Sequence, residues 1–429
     1  MLRQIDEEFY DACENINEMS NLYMTMPVII RENTNESPIA TTQTSRCESP
    51  PSRNSSHMNH VEIISAGLKI INRSKTISNK PKELYQFNNI QLIQEIDLVD
   101  KRESGTWVIK FSPDQKSLVI GGQIGVVCLY DIMNTQQKLI EEAPSRIFAE
   151  HEGMITDIDF NAEGNILTSS LDGSVKLWWK CQENSIYTFK HATAVNAVCS
   201  HPLCRNVFAT ASKDSMIRQF RLPEKYAESL YKTPREVTAL AYSPDGEYLA
   251  AGLKKGEVII YQSLPETYKL RLKYTLKCRN RFGLKRGGRR VTNLEFMNHD
   301  YLLVTTNDSR IRLYKFKENL LVQKYKGNIN SKFPIRASFS PHKAHIICGS
   351  EKGRFFIWNT FKQTEGEKIE KNTEFESFDA RVNKGGEFSI FAPEGVVEAA
   401  KEWYREGEVT HMILSAGSND TLRIFLNVA

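Results

Sequence analysis

His151, Ser170 (or Thr168) and Asp172 fall close together in the chain. A histidine held by a carboxylate and facing a hydroxyl is the arrangement that activates a nucleophile for acyl transfer. The same residue types return downstream as His191 and Asp214, and an aspartate returns again as Asp308. Recurrence at a fixed offset marks a repeated structural unit, because an active site has no reason to be copied along a chain. Trp178 completes the first set. Histidine, hydroxyl, aspartate and indole can then form one hydrogen-bonded chain that satisfies buried polar groups. No Gly-x-Ser-x-Gly elbow, phosphate-binding loop or kinase motif is present. The sequence therefore reads as a non-enzyme with no cofactor. The 8 cysteines include no Cys-x-x-Cys pair, so neither a zinc site nor a disulfide framework is expected, in keeping with a reducing compartment.

The elements that position these residues repeat as well. Seven short strands close on an aromatic residue shortly after a turn: Gly125–Tyr130, Ser174–Trp178, Ser215–Phe220, Gly256–Tyr261, Ser309–Tyr314, Gly353–Trp358 and Thr421–Phe425. The closing aromatics recur about every 49 residues, near the length of a WD-repeat propeller blade. First strands end at Ser-Pro or Ala-Pro turns, as at Ser112-Pro113, Ser243-Pro244, Ser340-Pro341 and Ala392-Pro393. The expected fold is all-β: a seven-bladed WD-repeat β-propeller over residues 86–429, with a disordered N-terminal arm over 1–85. A blade needs four strands, and the last blade lacks its outermost one at the C-terminus. The apolar segment 90–96 is expected to supply it and close the ring. Residues Val396–Arg405 have helical apolar spacing within the long last repeat.

The arm is expected to be disordered because 32–59 are rich in Ser, Thr, Asn and Pro and poor in bulky apolar residues. Ser45 and Ser49 within it are candidate phosphorylation sites. The apolar run Met24–Ile30 is too short to span a bilayer and is not a secretion signal, so a cytoplasmic or peripheral location is expected.

Net charge is only +4, so partners must be read from local clusters. Arg271, Lys273, Lys277, Arg279, Arg281, Lys285, Arg286, Arg289 and Arg290 form a run without an acidic residue. It reads as a basic insertion on the rim of the ring, suited to an acidic partner or an acidic lipid surface. RNA is the weaker reading, since only Tyr274 and Phe282 are at hand to stack a base. A solvated loop is the bland alternative. Segment 68–82 is also basic and reads as a charged linker or a weak membrane-surface helix.

The first residues carry an acidic tract around two aromatics. Glu8, Phe9, Tyr10, Asp11, Ala12 and Glu14 resemble the acidic-tract motif with paired phenylalanines, Tyr10 standing in for the second phenylalanine. That resemblance implies binding to the major-sperm-protein domain of VAMP-associated proteins on the endoplasmic reticulum. Phe9 would fill an aromatic pocket, Asp11 would accept hydrogen bonds, Ala12 would enter a small site, and the acids would speed encounter.

Val304–Tyr314, Lys324–Gly327, Ala337–Ser340 and Gly349–Lys352 resemble blades of the WD repeat-containing protein forty-four family, and Glu7–Ala12 is similar to that family's start. The resemblance implies a rabphilin-like scaffold on recycling endosomes that binds an active Rab GTPase and links endosomes to endoplasmic reticulum. The family's long region between motif and propeller is short here, so no residues are assigned to Rab binding. Two other propeller roles stay open: an RNA-associated protein and a substrate receptor of a ubiquitin ligase.

Overall fold

The computed structural model describes residues 87, 89–98, 105–132, 138–278, 288–361, 371–372 (backbone only), 375–380, 386–417 and 421–429. The expected disordered arm and docking motif, and segment 68–82, lie outside the described residues. From Gln86 onward the chain forms one compact unit.

Among the described residues the strands assemble into seven sheets, each an up-and-down antiparallel blade of four strands in sequence order, except as noted for blades five and seven. Blade one runs Thr106–Phe111, Ser117–Gly122, Val127–Asp131 and Arg146–Phe148. Blade two runs Ile155–Phe160, Ile166–Ser170, Ser174–Trp178 and Tyr187–Lys190. Blade three runs Val195–Ser200, Val207–Ser212, Met216–Arg221 and Ala227–Lys232. Blade four runs Val237–Tyr242, Tyr248–Leu253, Glu257–Ser263 and Leu270–Lys277. Blade five runs Val291–Phe296, Tyr301–Thr306, Arg310–Lys315 and Leu320–Tyr325, and the short segment Lys371–Asn372 adds a parallel strand to its outer edge. Blade six runs Ala337–Phe339, His345–Gly349, Arg354–Asn359 and Glu376–Asp379.

Blade seven takes Glu387–Phe391, Val409–Gly417 and Thr421–Val428 from the C-terminal end and Ile90–Asp97 from the start of the unit. Pairing of Ile90 with Asn427 through Asp97 with Thr421 seals the ring. It covers the edge that Thr421–Val428 would otherwise present and makes Ile90–Asp97 the outer strand of the blade. Just upstream, Phe87 is buried against His345, His411 and Phe391, with ring centroids 4.9, 4.8 and 6.0 Å away. The first strand of each blade packs against the first strands of its neighbours all the way round. Blades one to five share a bulge near the start of that strand, which bends it where the ring is narrowest.

The apolar core lies between adjacent blades. Trp178, Trp358, Tyr130, Phe208 and Phe355 are among its largest fully buried side chains or nearly so. The helix in the last repeat spans Glu394–Trp403, beginning two residues before the expected Val396, directly after Pro393. It covers the ring with Val396, Val397 and Ala400. No helix among the described residues is long and apolar enough to cross a membrane.

Candidate functional site

The candidate catalytic set of blade two is assembled as a closed network. His151 Nδ1 lies 2.8 Å from Asp172 Oδ2, and His151 Nε2 lies 2.7 Å from Thr168 Oγ1. Trp178 Nε1 donates to the same Thr168 oxygen at 2.8 Å. Thr168, not Ser170, is thus the hydroxyl of the set. Ser170 donates instead to the Gly153 carbonyl at 2.8 Å. Thr168 accepts from Trp178, and because the Asp172 carboxylate can only accept, His151 presents Nδ1–H to it. Asp172 also accepts from the Ser174 backbone and hydroxyl, each at 2.7 Å. Burial raises the Asp172 carboxyl, but the hydrogen bonds from His151 and Ser174 outweigh it and hold the pKa at about 2. Gly173, at φ +81°, makes the turn that lets the Asp172 side chain fold back onto the next strand. Thr168 and Trp178 are wholly buried and His151 nearly so, so no substrate atom can reach the hydroxyl. The geometry fits a structural clamp that ties the connection entering the blade, through His151, to the second and third strands.

Blade three departs from this pattern. His191 Nε2 meets Thr210 Oγ1 at 2.8 Å, but its Nδ1 faces the Phe189 carbonyl at 3.2 Å. Asp214 is drawn instead to Arg218 at 2.6 Å and to Ser212 at 2.6 Å. The strand closes on Phe220, which carries no N–H and stacks on Phe208 at 5.0 Å. Burial, with help from Arg218, lowers the His191 pKa to about 4. Blade five has the aspartate without the histidine: Asp308 pairs with Arg312 at 2.6 Å, and Arg312 is fully buried.

A feature that the sequence reading missed connects these blades. The residue two before the closing aromatic is basic in four of them: Lys176, Arg218, Arg312 and Arg423. Each is ion-paired, to Glu150, Asp214, Asp308 and Glu95 respectively. Their shared offset was the available signal. In blade seven the row continues inward from Arg423 through Ser415 to Glu387, whose carboxylate accepts a hydrogen bond from Ser415. A polar crossing also joins distant blades: Arg336 of blade six reaches Asp157 of blade two at 2.6 Å and the Thr156 carbonyl at 2.8 Å.

The basic run needs a correction. Arg271, Lys273 and Lys277 lie on the outer strand Leu270–Lys277 of blade four, not in an insertion. Leu270 and Leu276 turn inward from that strand and are buried, while the three cations are exposed. A bulge at Lys273 offsets the alternation. An outer strand has one solvated side, so charge at its exposed positions reads like a loop. Arg279, Arg281, Lys285 and Arg286 lie outside the described residues. Arg289 is exposed and Arg290 half-buried where the chain returns to blade five. The docking residues Glu8, Phe9, Tyr10, Asp11, Ala12 and Glu14 also lie outside the described residues.

Comparison with known proteins fits this architecture. The family described as WD domain, G-beta repeat matches residues 142–178, 183–221 and 228–262, from the outer strand of blade one into blade four. WD repeat-containing protein 44 of Xenopus laevis is 24% identical over 80% of this chain and 45% of its own length. An uncharacterised WD repeat-containing protein of Schizosaccharomyces pombe is 23% identical over 60% of this chain and 48% of its own. Jouberin of Mus musculus is 24% identical over 52% of this chain and 22% of its own. The chain spans less than half the length of each of these relatives. With seven blades, a His–Thr–Asp–Trp clamp and these matches together, the chain is a WD-repeat propeller protein, distantly related to WD repeat-containing protein 44.

Proposed function

We propose that this protein is a non-enzymatic membrane-trafficking scaffold that links recycling endosomes to the endoplasmic reticulum. In this reading residues 8–14 engage the major-sperm-protein domain of a VAMP-associated protein, and the propeller engages an endosomal partner, an active Rab GTPase. The observation that carries it is the similarity to WD repeat-containing protein 44 along 80% of the chain, together with the acidic-tract residues Glu8–Glu14. Blade geometry supports the non-enzymatic half: the histidines and aspartates that might do chemistry are spent inside blades.

A pull-down of the full chain with the purified receptor domain tests the docking half. Phe9→Ala and Asp11→Ala each remove an anchor, and loss of an anchor commonly weakens binding about thirtyfold. Both variants should fall by about that factor. Retention equal to the parent protein in both would refute the receptor link.

A further inference from the structure

The two faces of the ring differ in charge across blades two to four. One face, here the upper, carries the turns between second and third strands and the connections that leave the outer strands. Backbone hydrogen bonds tie these segments together, as from Lys213 N to Ala194 O, Lys254 N to Glu236 O and Cys278 N to Gly256 O. Its turns hold Lys213, Lys254 and Lys255. Its connections, counted from the last residue of each outer strand, hold Lys190, Lys232, Arg235, Lys277, Arg289 and Arg290. Against these nine described cations stand three acids, Asp172, Asp214 and Glu236, each held by a neighbour: His151, Arg218 and Lys254. The lower-face segments of the same blades reverse the balance. Counted in the same way from the last residue of each third strand, they hold five cations (Lys180, Arg205, Arg221, Lys225 and Lys269) and six acids, among them Asp245, Glu247 and Glu266.

Three of the upper cations are equivalent by register. Lys190 pairs with Ser174, Lys232 with Met216 and Lys277 with Glu257, each opposite the first residue of the third strand. Equivalent positions of successive blades sit at one height along the ring axis, so these ammonium groups lie in one plane. With Lys255 and Arg289 they are exposed and form no ion pair with a described residue. No large apolar side chain is exposed on the described upper segments of these blades. A protein interface would bring an apolar core, and single-stranded nucleic acid would bring stacking aromatics. A flat array of free cations without either fits a flat anionic surface.

We propose that the upper face of blades two to four is a membrane-contacting surface that seats the ring on an anionic bilayer, with Lys190, Lys232 and Lys277 as its principal contacts. The acidic lower face then points to the cytosol. This inference is independent of the acidic-tract motif and adds an orientation to the propeller.

Vesicle flotation of the full chain tests it, using phosphatidylcholine vesicles with and without about one-third phosphatidylserine. Each cation near such a surface contributes roughly a fivefold factor, so the triple variant Lys190→Gln, Lys232→Gln, Lys277→Gln should bind about a hundredfold more weakly. Binding should also fall steeply with salt. The matched lower-face triple Lys180→Gln, Lys225→Gln, Lys269→Gln changes net charge equally and should retain most binding. The double variant Lys255→Gln, Arg289→Gln should lose about twenty-five-fold, and it serves if the first triple fails to fold. Equal loss from both faces, unchanged binding of the upper variants, or binding to neutral vesicles alone would overturn the proposal. So would tighter capture of single-stranded RNA than of vesicles through the same lysines, which would reassign the face. Receptor pull-down by the upper-face triple should stay at the parent level, which separates failure here from failure of the docking motif.

Discussion

Blades three and five solve one problem with the same residues but at different depth. In each, an arginine two before the closing aromatic turns back to an aspartate four residues earlier, and a Ser or Thr hydroxyl joins them. In blade five the guanidinium has 0% exposure and the carboxylate 16%; in blade three the figures are 17% and 20%. A pair that touches water can be rescued by it, while a buried guanidinium depends on its counter-ion. The difference teaches that conservation of a motif within a ring does not carry equal energy from blade to blade.

The largest expected effect breaks that comparison at its deeper end. Asp308→Ala removes the carboxylate that neutralises a buried arginine and should cost about 3–5 kcal/mol, read from the urea midpoint of unfolding. Asp214→Ala leaves a guanidinium that can reach solvent, and should cost about 1 kcal/mol. Combining Asp308→Ala with Arg312→Leu should recover much of the loss, because an apolar pair fills the site without a buried charge. Equal costs for the two aspartates would show that burial does not set the energy of these pairs.

The hydroxyls of blades two and three sharpen the point at intermediate scale. Thr168 serves both His151 and Trp178, whereas Thr210 serves His191 alone. Replacement by valine keeps the shape and removes the oxygen. Thr168→Val orphans two buried partners and should cost about 3 kcal/mol; Thr210→Val orphans one and should cost about half that. Thermal unfolding of the two variants side by side gives the ratio. A ratio near one would mean that the Trp178 N–H finds another acceptor.

The ring itself was legible in the sequence because its punctuation is local. Turn residues and a closing aromatic are dictated by backbone dihedrals and by interblade packing, and both recur in every blade. Even the seal was readable, since the strand lacking at Phe425 and the apolar segment at Ile90 are complementary needs. Outer strands were harder. Leu270–Lys277 shows Arg271, Lys273 and Lys277 to solvent, so its charges masked the buried Leu270 and Leu276 beside them. The choice of Thr168 over Ser170 was also hidden, because both lie on one strand two residues apart and only the fold decides which meets the indole. The Asp–Arg pairs of blades three and five were visible as a shared four-residue spacing, but each arginine reads alone as an exposed strand residue until the burial is known.

Two carboxylates carry the comparison of blades into pH. Asp172 of blade two sits among donors and is held at about 2, whereas Glu387 of blade seven is pushed up to about 7. Burial is the main cause at Glu387; Ser415 and Arg423 oppose it, and Asp379 adds to it. The signs are opposite. Asp172 binds its proton more weakly in the fold than in the unfolded chain, so its contribution is present above about pH 4 and is lost as pH falls through about 2. Glu387 binds its proton more tightly in the fold, so its contribution is complete below about pH 4.5 and is lost as pH rises through about 7. The full swing at Glu387, from 4.5 to about 7, is on the order of 3 kcal/mol. Glu387→Gln keeps the shape and cannot ionise. Its stability should match the parent protein near pH 4 and exceed it near pH 8, by about 3 kcal/mol. The buried histidines His345 and His411, held at about 4 and about 3, are common to both proteins and cancel in the difference. A stability difference that stays flat from pH 5 to pH 8 would mean that Glu387 is ionised in the fold, with Arg423 rather than burial controlling its charge.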